Sequence, residues 1–293
     1  MSGILWATAA GVGFGLFQAF HRRANQFLDA IGATFFLLII AVVALGTGSA
    51  FTQDLGALGR APAWAFLAFA LAGIVQFFFG WTFLTLSQHR DGASRTGIAI
   101  AATPLIGSVG AAIFLDEPLT PIVLVGVLLV VAGVALIAQR HGSSGNRMAA
   151  VPWFGLGSAL CWGTAPLFVR WGLDGLDVPL IGVTLAMASA AAMYAILLVV
   201  TGGGYRLKVP RAAIGWILLS SLLAAGAIAA QWQAWDLIEV TVAITLMQLA
   251  TPVVVLAAPL VIGTEMEKLT PALLLGMAAV VGGSMLVIWT GQG

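Results

Sequence analysis

The stretch TPLIGSVGAAIFLDEPLTPIVLVGVLLVVAGVALI, residues 103–137, decides how this chain is built, because its landmarks return in TPVVVLAAPLVIGTEMEKLTPALLLGMAAVVGGSMLVI, residues 251–288. Thr103-Pro104 comes back as Thr251-Pro252 and Glu117 as Glu265, each 148 residues on. After a two-residue insertion the offset becomes 150, and Leu119-Thr120-Pro121 pairs with Leu269-Thr270-Pro271, Gly126 with Gly276 and Gly133 with Gly283. Working back toward the N-terminus, the offset of 148 also relates Phe14-Gly15 to Trp162-Gly163, Arg22 to Arg170, Asp29 to Asp177 and Pro62 to Pro210. Self-similarity at a fixed spacing over most of a chain is the mark of a tandem duplication.

The solvent for both copies follows from composition. Of 293 residues, 61% are hydrophobic and 8% charged, with a mean hydropathy of +1.07. A soluble domain carries about 25% charged residues. The apolar residues fall into ten blocks, at about 3–20, 30–50, 62–87, 93–114, 119–138, 151–170, 178–201, 211–236, 240–262 and 270–290. Each is long enough to cross a hydrocarbon core roughly 30 Å thick. The expected fold is an all-α polytopic membrane protein of ten transmembrane helices. Residues 1–138 form the first five-helix repeat, 139–150 a Gly/Ser-bearing linker (QRHGSSGNRMAA) and 151–293 the second repeat. Five is odd, so the second copy enters the membrane from the opposite side. The two copies are then inverted repeats about a pseudo-two-fold axis in the membrane plane, enclosing a central cavity.

Lys/Arg placement sets the expected orientation. The side of the first connection collects Arg22, Arg23, Arg90, Arg95, Arg140, Arg147, Arg206, Lys208, Arg211 and Lys268, against Arg60 and Arg170 on the other. That makes the first side cytoplasmic and both termini extracytoplasmic, in an inner (plasma) membrane of bacterial type. The opening MSGILWATAAGVGFGLFQAF lacks a basic leader and a cleavage signature, so it reads as a retained first span. A net charge of +1 without a basic run gives no footprint for nucleic acid. The single Cys161 builds neither a disulfide nor a thiolate metal site. No H-E-x-x-H motif or buried Ser/His pair points to catalysis, so the chain is expected to be no enzyme and to need no cofactor or metal.

Chemistry inside the bilayer falls to a few residues. A proline in mid-helix withholds its amide from the carbonyl four residues earlier. Pro104 and Pro252, at equivalent points of spans four and nine, are therefore expected hinges that leave the Ile100 and Gln248 carbonyls available. Polar side chains at lipid depth face the bundle or water. Gln18, Gln76, Gln231 and Gln248, with Thr103 and Thr164, are on that ground expected to line a substrate site. Alternatively, each Gln amide only bonds helix to helix. Gln233 points about 200° from Gln231 at helical spacing, so the two cannot share one cavity. Trp81, Trp162 and Trp232 are candidate pocket walls, whereas Trp235, beside Asp236 at a span end, fits the aromatic belt. Gly11/Gly15 and Gly276/Gly283 read as close helix packing, and Glu117 and Glu265 as solvated or helix-capping acids. No charged residue lies near the centre of a span, which argues against a proton relay and for facilitated transport or exchange.

These landmarks resemble the EamA-type repeat of the drug/metabolite transporter superfamily. Its fourth-helix proline, acidic helix end and Gly-containing fifth helix match Pro104, Glu117, Gly126 and Gly133, and again Pro252, Glu265, Gly276 and Gly283. Its aromatic-Gly pair followed by a basic residue matches Phe14-Gly15 with Arg22 and Trp162-Gly163 with Arg170. The resemblance implies a lipid-embedded carrier or exporter of a small-molecule substrate, with amino acids, aromatic ones included, as the leading class, working as a monomer by alternating access. A multidrug or cationic-compound exporter remains the alternative within transport. A non-transporting lipid-handling or sensory protein is the alternative outside it.

Overall fold

The computed structural model describes residues 2–139, 152–262 and 270–290. The expected linker beyond Gln139, with Arg140 and Arg147, and the stretch carrying Glu265 and Lys268 lie outside the described residues. Ten membrane-crossing elements follow in order: α1 Ser2–Ala24, α2 Ala30–Thr52, α3 Ala63–Asp91, α4 in two pieces (α4a Ala93–Ile100, α4b Thr103–Phe114), α5 Pro121–Gln139, α6 Trp153–Gly175, α7 Pro179–Val200, α8 Arg211–Leu237, α9 in two pieces (α9a Val240–Leu246, α9b Ala250–Ile262) and α10 Pro271–Thr290. Nine of these segments are long and apolar enough to cross a membrane. The tenth, α6, spans 23 residues but carries Arg170 and Asp174, and it is shielded by packing on α3 and both pieces of α4.

The inverted repeat is written in the packing. Without a hydrophobic force between helices in lipid, small residues let backbones approach. A Cβ added to Gly126 of α5 would meet the Gly283 carbonyl of α10 at 3.0 Å, and one on Gly133 would meet the Gly276 carbonyl at 2.6 Å. Gly126 is the repeat equivalent of Gly276 and Gly133 of Gly283. Each glycine thus touches, on an antiparallel helix, the equivalent of the other glycine of its own helix, as a two-fold axis requires. The same axis relates the α1–α8 seam to the α6–α3 seam and pairs α2 with α7. Gly11 and Gly15 seat α1 against α9, with Leu246 and Ala250 carbonyls 3.0 and 2.8 Å from the added Cβ atoms.

Loops gather on two faces. On the first, rich in Lys and Arg, Arg206 pairs with Asp29 at 3.3 Å. On the opposite face, the Gln53 amide oxygen accepts the Ile181 amide, and the Glu117 carboxylate accepts the Val240 and Thr241 amides at 2.6 and 3.0 Å. Glu117 therefore caps α9a of the other repeat. It reaches there because α4b ends with Asp116 at φ 54°, a left-handed conformation that Asp tolerates, while the Ala111 carbonyl takes both the Leu115 and Glu117 amides. The two faces are not alike. α4b packs on α9a at the opposite face, but α4a and α9b make no comparable contact at the basic face among the described residues.

Candidate functional site

α4 and α9 break in mid-membrane, at the Ala101–Ala102 turn and the 3-10 segment Met247–Leu249, within a few residues before Pro104 and Pro252. The proline explains each break, since it lacks the amide that would bond the Ile100 or Gln248 carbonyl and its ring crowds that carbonyl. The freed Ile100 carbonyl is not left open as the sequence suggests. The Thr103 hydroxyl donates to it at 2.7 Å. The Gln248 carbonyl takes the Ala250 amide in the 3-10 turn.

α3 departs from regular helix over Ile74–Phe79, which forms a π-turn. Such a turn widens the ladder and is frequent at functional sites. Here its carbonyls are met from α6. The Trp162 indole donates to the Gln76 carbonyl at 3.1 Å, and the Ser158 hydroxyl donates to the Gly80 carbonyl at 2.9 Å. Trp162 fits there because residue 80 has no side chain: an added Cβ would lie 2.5 Å from the indole nitrogen.

From this turn a hydrogen-bonded chain runs through both repeats. The Gln76 amide nitrogen donates to the Gln231 oxygen at 2.8 Å, and the Gln231 nitrogen donates to the Met247 sulfur at 3.4 Å. Trp162 of α6, Gln76 of α3, Gln231 of α8 and the break in α9 are thereby joined. Gln76 and Gln231 are 6% and 9% exposed, and the Gln76 side-chain oxygen has no partner among the described residues. The rings of Phe77 and Trp81 meet at a tilt of 58°, centroids 5.2 Å apart.

The remaining candidates lie apart from this chain. Gln18 is exposed toward the basic end of α1, and Gln248 is half-buried at the α9 break. The Thr164 hydroxyl is turned to the Leu160 carbonyl of its own helix. Trp232 is fully buried against Phe69 and Trp235, ring centroids 5.7 and 6.5 Å away, so it packs the core in this conformation. Trp235 corrects the belt expectation. It is 1% exposed, because α8 is enclosed there and Arg170 covers its end. Gln233 bonds Asp236 along its own helix and, as its angle required, stays off the Gln231 side. Met247, Ser158 and Gly80 escaped sequence reasoning. Only the glycine inside the run FFFGW offered a signal.

Residues 1–139 match the EamA-like transporter family. That match covers the first five helices, just under half of the chain. It is also 29% identical over 151 residues to an uncharacterized transporter, YvbV, of Bacillus subtilis (strain 168), a match covering 51% of this chain and 48% of that protein, about half the length of the relative. A solved crystal structure superposes with a TM-score of 0.74 over 99% of this chain and 98% of its own, at 18% identity, which speaks for the fold alone. The EamA-like match ends with α5.

Proposed function

We propose that this EamA-like protein carries small organic metabolites, amino acids foremost, across a bacterial-type inner membrane by alternating access between its two repeats. The observation that carries this reading is the asymmetric closure around two broken helices, with α4b packed on α9a at one face and, among the described residues, no matching contact of α4a with α9b at the other. With the basic face cytoplasmic and both termini extracytoplasmic, the described conformation opens inward.

Gln76 and Gln231 suit a zwitterion. The buried, unpartnered Gln76 oxygen is an acceptor for an ammonium group. The Gln231 nitrogen spends its donor on a thioether, a weak acceptor that a carboxylate would displace. Trp162, Trp81 and Phe77 offer faces to an apolar or aromatic side chain. The buried polar side chains described include no charged residue, which favours amides over a carboxylate-bound cation and supports facilitated exchange without a proton relay.

Counterflow of labelled amino acids in proteoliposomes without a pH gradient tests the proposal. Gln76→Ala is expected to raise the half-saturating concentration about tenfold while leaving the protein folded, the range for losing a hydrogen bond to a charged group. Counterflow with no amino acid, or an unchanged half-saturation in Gln76→Ala, would refute the amino-acid reading.

A further inference from the structure

On the closed face, Arg170 reaches from α6 to the end of α8, where one guanidinium nitrogen donates to the Trp235 and Asp236 carbonyls at 2.6 and 3.0 Å. A cation on the last carbonyls of a helix satisfies orphan acceptors and meets the negative end of the helix dipole. The contact joins two helices of the second repeat and closes their ends over the membrane-spanning core. Its repeat equivalent is Arg22, near the end of α1, facing the end of α3, where Ser87 and Gln88 stand for Trp235 and Asp236. In this conformation Arg22 is exposed and donates to no described residue, and α1 does not pack on α3. The acceptors suit it nonetheless. The Gln88 carbonyl takes the Gly92 amide at 3.2 Å, a carbonyl oxygen has two lone pairs, and the Asp91 carboxylate stands within hydrogen-bond distance of Ser87.

We propose that Arg22 and Arg170 are alternating latches: Arg170 holds the present closed face, and when that face opens Arg22 docks on the Ser87 and Gln88 carbonyls to hold the basic face shut. The inference rests on the alternating-access reading, because inverted repeats that exchange conformations exchange their contacts as well. Each latch acts in one state only, so each biases the equilibrium by its differential contact. Neither arginine touches substrate; both are positioning residues.

Double electron–electron resonance between spin labels on Gln26→Cys and His89→Cys, in a Cys161→Ser background, reads the opening of the basic face without any substrate. Both label sites are exposed and outside the latches. The parent is expected to show a long and a short distance. Arg22→Gln, at an exposed position that leaves the fold intact, should lower the short-distance population about tenfold relative to the long, the scale of one charge-assisted hydrogen bond. Arg170→Gln should raise it by a similar factor, with Arg170→Lys restoring part of the parent ratio. Two distances whose ratio ignores Arg22→Gln would overturn the latch and leave the carrier reading standing. A single distance in every variant would overturn both.

Discussion

The seam between α3 and α6 and the seam between α8 and α1 are the same contact under the repeat axis, yet they are held by different means. In the first, Trp162 and Ser158 donate side-chain hydrogen bonds into the main chain of a π-turn. In the second, their equivalents are Phe14 and Ala10, neither of which can donate. Gln76 and Gly80 become Ala224 and Ile228, both fully buried, and α8 runs as 27 residues of uninterrupted helix. Here Gly13 simply lies against Ala227, its added Cβ 2.9 Å from the methyl. A buried carbonyl released by a π-turn must find a donor or cost free energy. The helix departs from regularity only where the opposite helix brings one. One repeat thus keeps the polar, irregular seam, and its equivalent keeps the apolar scaffold.

Importing the scaffold residue into the polar seam should break the contrast most severely. Gly80→Ile places a branched side chain where even a Cβ would sit 2.5 Å from the Trp162 indole nitrogen. Overpacking of about 1–3 kcal/mol adds to the loss of the indole bond, a combined cost of roughly 3 kcal/mol or more. Thermal unfolding in detergent should show a large drop in melting temperature or no recoverable folded protein. A melting temperature equal to the parent's would mean that the indole is not seated on α3.

Trp162→Phe sharpens the same comparison at lower cost, since it installs the residue that the other repeat already uses. The ring remains, but the Gln76 carbonyl loses its donor, at about 1–3 kcal/mol if the π-turn persists. Release of the π-turn into regular helix would avoid that cost and rotate Gln76 away from Gln231. Hydrogen exchange separates the outcomes from no effect: amides within 76–81 should exchange faster or change pattern in Trp162→Phe and stay fixed in Phe14→Trp. Unaltered protection in Trp162→Phe would dissociate the π-turn from its indole.

The ease of reading the scaffold and the difficulty of reading the site have one cause. Hydropathy, the spacing of 148, the paired prolines and Gly276 with Gly283 are local signals, and they carried the helical scaffold, the two proline positions and close packing at the glycines, whereas the crossing of α5 with α10 is seen only in the fold. Gln76, Trp162 and Gln231 could be singled out as polar or aromatic residues at depth. Their connection could not, because Gln76 and Gln231 are 155 residues apart and a one-residue rotation would separate them. IVQFFF contains no Gly or Pro to announce a π-turn; its geometry comes from α6. Trp235 misled for the same reason, since its burial depends on Arg170 arriving from another helix.

The smallest expected effect lies where the equivalent seams reach opposite faces. α3 ends at Asp91, whose carboxylate accepts the Ser87 hydroxyl at 3.2 Å, whereas the equivalent Glu239, just beyond α8, lies half-buried beside Glu117. Burial first, and then the Glu117 charge, push the Glu239 carboxyl above the usual glutamate range. Protonating Glu239 therefore relieves the closed face. Its stabilising contribution is full below the ordinary glutamate value and is lost as pH rises through the raised one. Water screens a half-exposed pair, so the effect on the melting temperature should be small. Between pH 7 and pH 5 the parent should gain stability from this source. Glu239→Gln should already have that gain at pH 7 and show a flatter profile. Equal slopes for the parent and Glu239→Gln would remove Glu239 from the closed face's response to pH.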